Sequence, residues 1–209
     1  MITVVDCGMG NLQSVLRAIR KVGAAVRLAT SAADVDSAEK IILPGVAALG
    51  AAMLRLQNLQ LVQALHRRVQ QGGTPVLGIC VGLQLLTQWS EEGDSAGLGW
   101  IKGRTVRLRN GTTAPNLKVP HVGWNTLEKQ RPCPLLDGVP DDACFYFAHS
   151  YYVQCDDDDV VAACTTYGTR FVSVMQSGSI FGIQFHPEKS QANGLQVLRN
   201  FVEYRTRES

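Results

Sequence analysis

Hydrophobic positions change their rhythm part-way along the chain. In the first half, short continuous apolar runs alternate with stretches patterned at helical spacing. Residues 2–5 (Ile2-Thr3-Val4-Val5) are the first run. Leu12, Val15, Leu16, Ile19 and Val22 then share one helix face, and Gly23 is placed to stop that helix. Residues 25–28 and 40–43 read as the next strands. Leu61, Val62, Leu65 and Val69 mark a long helix closing at Gly72-Gly73, followed by a strand at 74–77 and a helical stretch at 83–89. Continuous apolar strands joined by helices predict a parallel sheet covered on both faces. In the second half the strand candidates come in series, at 105–108, 125–128, 144–147, 151–154, 160–163 and 171–175. Ser177-Gly178 reads as a hairpin turn before the apolar run 180–185, and Leu195, Leu198, Phe201 and Val202 mark a closing helix. The expected architecture is α/β, in three layers: a mostly parallel sheet with helices on both faces and an antiparallel extension in the second half. With no repeat, low-complexity tract or linker, residues 1–209 read as a single domain.

Between the strand at 74–77 and the apolar stretch after it lies Gly78-Ile79-Cys80-Val81-Gly82. Strand, G-x-C-x-G, helix is the cysteine counterpart of a hydrolase nucleophile elbow. Such a turn crowds the residues two before and two after the nucleophile, and Gly78 and Gly82 meet that demand. It also puts Cys80 at a helix start, where the dipole favours thiolate. An inert cysteine in a glycine-flanked turn is the competing reading, and Phe185-His186-Pro187-Glu188 weighs against it. A cysteine nucleophile needs a base, and the base needs a group that fixes its tautomer. A histidine at a strand end, with a carboxylate two positions on, serves both needs. The candidate triad is Cys80, His186 and Glu188. Pro44-Gly45-Val46 ends the strand at 40–43, so it should meet Cys80 at the carboxyl rim of the sheet, where such folds bind ligands.

Composition narrows the setting. Apolar residues make up 45% and charged residues 18%, and the net charge is +2. No basic stripe points to nucleic acid or to an anionic membrane surface. No apolar stretch reaches bilayer length, and the N-terminal run is too short for a signal peptide, so a cytoplasmic location is expected. The six cysteines contain no C-x-x-C pair and lie apart from the histidines, which argues against a metal site and a disulfide framework. Cys7, Cys144 and Cys164 lie in or beside strand-like runs and read as small core residues. The acidic run from Asp156 to Asp159 lacks the glycine and distal glutamate of a calcium loop and reads as a solvated turn. His66, among Arg67, Arg68 and Gln70, reads as exposed.

With these motifs in hand, the chain resembles the class I, triad-type glutamine amidotransferases, whose sheet is flavodoxin-like. Within them it is most similar to the glutaminase subunits of imidazole glycerol phosphate synthases. The likeness spans nearly the whole length. It rests on the elbow, on Pro44-Gly45-Val46, Ser90-Glu91-Glu92-Gly93, Lys118-Val119-Pro120-His121-Val122-Gly123-Trp124-Asn125, His149-Ser150-Tyr151-Tyr152 and Gly182-Ile183-Gln184-Phe185-His186-Pro187-Glu188-Lys189-Ser190. The resemblance implies that Cys80 attacks the side-chain amide of L-glutamine, with His186 as base and acid and Glu188 orienting it. It makes the Val81 and Val46 backbone groups oxyanion donors. Gly45, Gln84, Glu92 and the backbone of His149, Ser150 and Tyr151 become substrate contacts, and no cofactor or metal is called for. His149 is a rival base, ranked below His186.

The same resemblance implies a (βα)₈-barrel cyclase subunit as partner, in a heterodimer of histidine biosynthesis. Ammonia is passed directly to it, because free ammonia becomes ammonium in neutral water. Asn11, Trp124, Asn125 and Lys189 are the implied interface, although on residue type alone Trp124 would be a core residue. Many relatives carry glycine where this chain has Ala47. A methyl group disfavours positive φ by roughly 1–2 kcal/mol, which bears on the mobility of the Pro44-Gly45-Val46 turn. Three other readings stand beside the leading one. They are a paralogue feeding another acceptor such as a sugar amidination pathway, a stand-alone cysteine hydrolase, and a non-catalytic binding subunit.

Overall fold

The computed structural model describes residues 1–6, 12–109 and 117–205. Along the chain these form β1 (Ile2–Val5), α1 (Leu12–Lys21), β2 (Val26–Ala29), α2 (Ala32–Asp36), β3 (Lys40–Gly45), α3 (Leu49–Asn58), α4 (Leu61–His66) and β4 (Val76–Cys80). Next come α5 (Val81–Leu85), β5 (Thr87–Ser90), β6 (Ser95–Ala96), β7 (Ile101–Arg107), β8 (His121–Thr126) and β9 (Glu128–Lys129). The last stretch holds β10 (Cys144–His149), β11 (Tyr151–Cys155), β12 (Val161–Tyr167), β13 (Thr169–Ser177), β14 (Ile180–Ile183) and α6 (Gln191–Glu203).

An eight-stranded sheet runs in the order β2-β1-β3-β4-β14-β13-β12-β9. From β2 to β14 the neighbours are parallel; β13, β12 and β9 continue antiparallel, as the change of rhythm in the sequence anticipates. β1 and β4 are buried at every position, which is why they read as unbroken apolar runs rather than alternating ones. Two smaller sheets, β10-β8 and β11-β7-β5-β6, stand beside this frame. The Ser177-Gly178 hairpin turn is present between β13 and β14, with Gly178 at φ 56°.

Several expectations are corrected. The helix read over 83–89 ends at Leu85, and Thr87–Ser90 is a strand paired with β7 and β6. Leu83, Leu85 and Leu86 are all buried, and an apolar run buried all round carries no periodicity that separates helix from strand. The decision is tertiary: Leu98 N–H bonds the Leu85 carbonyl at 2.7 Å and Trp100 N–H that of Leu86 at 2.9 Å, while residues 87–90 find ladder partners in β7 and β6, so the chain leaves the helix here. The long helix from Leu61 becomes a π-helical turn at Arg67–Gln71. α2 was not anticipated, being too short for a period to show; Ser31 caps it reciprocally with Asp34. α3 was missed although Leu49, Ala52, Met53 and Leu56 lie at helical spacing. Cys144 is exposed rather than core, Cys164 is buried, and Cys7 lies outside the described residues. His66 is half-buried and accepts from Trp100 Nε1 at 2.9 Å.

Candidate active site

β4 lies between β3 and β14, with Gly45 in register against Cys80. The C-terminal ends of these three strands therefore share one rim. Cys80, 3% exposed, sits at φ 54° and ψ −106°, and α5 begins at the next residue. Holding a residue with a side chain there costs on the order of 1–3 kcal/mol. The two flanking glycines make the turn possible. A Cβ on Gly78 would lie 2.5 Å from the Gly82 carbonyl, and one on Gly82 would lie 1.7 Å from the Leu43 oxygen.

His186 leaves the end of β14 and is fixed by its backbone. Its N–H donates to Tyr146 O at 2.8 Å, and its carbonyl accepts from Ser190 Oγ at 2.6 Å. Ser190 Oγ in turn accepts from Tyr146 N at 2.9 Å, so one hydroxyl ties the histidine segment to β10. Nδ1 of His186 meets Glu188 Oε1 at 3.0 Å, with side chains 3% and 1% exposed. Burial by itself would depress this imidazole. Hydrogen bonds to Cys80 and Glu188, and the charges of both, outweigh it and lift the pKa to about 10. Imidazole and carboxylate are thus hydrogen-bonded, and the Cys80 sulfur, itself 3.9 Å from Ala148 O and 3.6 Å from Gln184 Nε2, is close enough to raise the imidazole's pKa.

His149, the rival base, is committed elsewhere. Its Nδ1 donates to Tyr151 O at 2.9 Å, which leaves Nε2 to accept from His121 Nδ1 at 3.0 Å. Desolvation holds both imidazoles low, His149 at about 3 and His121 at about 4, so both are neutral at neutral pH.

A cavity of about 330 Å³ opens over the nucleophile, bordered by Val46, Cys80, Val81, Gln84, Glu92 and Tyr151 among others. A larger groove of about 740 Å³, beside Arg107 and Arg109, holds no nucleophile–base pair, so chemistry rather than size selects the smaller one. Glu92 is held in place because its Oε2 accepts from Leu49 N at 2.9 Å, at the start of α3. Val81 N–H opens α5, where backbone donors lack intrahelical acceptors. Ala47 is not among the described residues with positive φ, so its methyl group carries no strain in this conformation.

The Glutamine amidotransferase class-I family model matches residues 3–204. The chain belongs to this family. The amidotransferase is 44% identical over 204 residues to "Imidazole glycerol phosphate synthase subunit HisH 2" of Pseudomonas aeruginosa, covering 97% of this chain and 99% of that protein. It is 46% identical over 203 residues to "Imidazole glycerol phosphate synthase subunit HisH" of Moorella thermoacetica, covering 97% and 94%. Among solved structures, PurLQS from Thermotoga maritima shares the fold, with a TM-score of 0.76 at 18% identity over 97% of each chain.

In this amidotransferase the expected interface residues divide. Trp124 is 49% exposed on β8 and meets Tyr146 edge-on at 6.0 Å, and exposed Lys189 lies over the Tyr146 ring at 5.4 Å. Asn125 is engaged within the chain, donating to Thr166 O at 3.1 Å and accepting from Thr126 N at 2.9 Å. Asn11 lies outside the described residues. Three residues at the site stand in the quoted motifs but were given no role by the sequence: His121, Gln184 and Ser190. A signal existed for Gln184, since an amide inside the apolar run 180–185 must find buried partners.

Proposed function

We propose that this chain is the glutaminase subunit of an imidazole glycerol phosphate synthase, one amidotransferase domain acting in the cytoplasm on L-glutamine. What supports the reading is Cys80 beside the hydrogen-bonded His186–Glu188 pair, opening on a small cavity in a chain alike to HisH subunits from end to end. The Cys80 thiolate attacks the amide carbon. The backbone N–H groups of Val81 and Val46 stabilise the oxyanion, and losing one such donor costs about two to three decades in rate. His186, protonated across neutral pH, gives its proton to the departing nitrogen, and ammonia leaves a glutamyl thioester. His186 then takes a proton from water, which attacks the thioester; glutamate departs and the thiolate returns. Glu188 keeps the ring oriented throughout. Gln84, Glu92, Gly45 and the backbone of residues 149–151 hold the substrate's polar groups.

The ammonia goes to a (βα)₈-barrel cyclase subunit, which forms imidazole glycerol phosphate and aminoimidazole carboxamide ribotide. Support for a docked partner comes from the mouth of the cavity, where Val46 and Val122 are 44% and 56% exposed beside the Trp124, Tyr146 and Lys189 cluster. Apolar and aromatic groups gathered at the exit of a site that releases ammonia favour a covering protein over open solvent.

The test is to purify the chain with a cyclase and assay cyclase product from glutamine. Cys80→Ala should abolish the glutamine-dependent product, while ammonium salts still support it. Glutamine-dependent product from folded Cys80→Ala, or no association with the cyclase, would overturn the reading.

A further inference from the structure

Buried amides connect the nucleophilic sulfur to the strand corner at Tyr151. Gln84 Nε2 donates to Tyr151 O at 3.0 Å and reaches Gln184 Oε1 at 3.4 Å, and Gln184 Nε2 reaches Cys80 Sγ at 3.6 Å. One atom settles the polarity of this relay. A backbone carbonyl only accepts, so Gln84 must turn nitrogen toward Tyr151. That nitrogen needs an oxygen beyond it, so Gln184 turns Oε1 to Gln84 and is left with its N–H groups toward sulfur. Gln184 is fully buried and Gln84 is 2% exposed, so the partners of these amides are chiefly groups of the chain itself. Packing does not require an amide after β14, where methionine fills similar volume, and a buried amide costs free energy unless it is bonded.

We propose that Gln184 is a positioning residue for Cys80: its amide N–H holds the sulfur in the elbow and stabilises negative charge there, and Gln84 acts through Gln184 by fixing which way that amide faces. The inference rests on the reading of Cys80 as the nucleophile. It separates Gln84 from a residue that only touches substrate. A pure substrate contact matters only when glutamine is the electrophile, whereas a relay to sulfur matters for any electrophile.

The experiment measures Cys80 alkylation by iodoacetamide at neutral pH, followed by peptide mapping so that exposed Cys144 is scored separately, alongside kcat and KM for glutamine with the cyclase present. Circular dichroism and thermal unfolding establish that each variant is folded. Gln184→Met should alkylate at Cys80 about tenfold more slowly, with kcat reduced to match and KM little changed. Gln184→Glu keeps the shape, replaces the donor with an acceptor, and should be slower still; it carries the test if the methionine variant does not fold. Gln84→Met should reproduce the alkylation loss, and the double variant should be no slower than Gln184→Met alone, because the two act in series. Parent-like alkylation and kcat in a folded Gln184 variant would overturn the proposal. A Gln84→Met variant that raises KM while alkylating at the parent rate would remove Gln84 from the relay. Alkylation needs no glutamine, so these outcomes are read separately from glutamate release by Cys80→Ala, which would instead refute the nucleophile itself.

Discussion

Cys80 occupies φ 54° and ψ −106°, a conformation that a residue with a Cβ adopts only under tertiary restraint. The reward is a sulfur presented at the rim of the sheet and turned toward His186 and the Gln184 amide. The strain should be visible in stability. Cys80→Gly and Cys80→Ala should both lose glutaminase activity, but chemical denaturation should find the glycine variant more stable than the alanine variant by about 1 kcal/mol, since only glycine adopts positive φ without penalty. His186 adds a pH signature. Its pKa is raised from 6.5 to about 10, so the stabilisation from its charged form is complete below pH 6.5 and is lost as pH rises through 10. In the proposed mechanism the same proton serves the departing ammonia. The alkaline limb of kcat/KM should therefore fall near pH 10, and Glu188→Gln, which removes one of the raising influences, should move that limb to lower pH. An alkaline limb unmoved by Glu188→Gln would separate the carboxylate from the histidine.

β8, β10 and the corner into β11 are joined by the His121–His149 pair rather than by apolar packing alone. His121 stacks on Tyr167 and Phe147, with centroids at 3.9 and 5.0 Å, and its Nδ1–H is the donor that satisfies His149. Both pKa values are lowered, so the unfolded chain takes up protons that the folded one refuses. The corresponding stability is present above pH 6.5 and is lost as pH falls toward about 4 and below. His121→Phe keeps an aromatic ring between Phe147 and Tyr167 but leaves His149 Nε2 without its donor. It should cost about 2 kcal/mol at neutral pH and flatten the acid loss of stability between pH 6.5 and 4, as thermal unfolding across that range would show. Unchanged acid sensitivity in the variant would mean that other groups control it.

For the whole molecule, the proposed function has the active site and the apolar rim around it act together. The isolated subunit should hydrolyse glutamine slowly, and the complex with a cyclase and its acceptor ligand should turn over about two decades faster or more, equivalent to a coupling of about 3 kcal/mol. Glutamate release, measured alone and then in the complex, checks this; equal rates would make the chain an autonomous hydrolase. Trp124→Ala should weaken association by about tenfold or more, as expected for a half-exposed aromatic anchor, with thermal stability unchanged within about 0.5 kcal/mol. Titration calorimetry against the cyclase, with a melting curve of the variant, separates the two effects.

Much of this protein could be read directly from its residues, for local physical reasons. Strands buried on both faces leave unbroken apolar runs, so β1, β3 and β4 were visible. An elbow with no room for a Cβ at two positions leaves two glycines around Cys80, and an imidazole bonded to a carboxylate two residues on leaves His186 and Glu188 in one short motif. Other features depend on partners distant in sequence and left little local trace. Helix α5 gives way to a strand where the amides of Leu98 and Trp100 bond the Leu85 and Leu86 carbonyls and β7 pairs with residues 87–90, although Leu83, Leu85 and Leu86 suit either a helix or a strand. Both ring nitrogens of His149 are occupied, one by His121, distant in sequence, and one by the Tyr151 carbonyl just past Ser150. Trp124, which by residue type belongs in a core, is exposed because β8 pairs with β10 in a sheet of its own outside the main frame. The direction of the amide relay to Cys80 is likewise set across the fold, by a single carbonyl at Tyr151. Sequence determined which chemical groups were present and how the segments with a clear local pattern would fold. Tertiary structure decided which of those groups are paired, because hydrogen-bond partners are allotted by proximity in space.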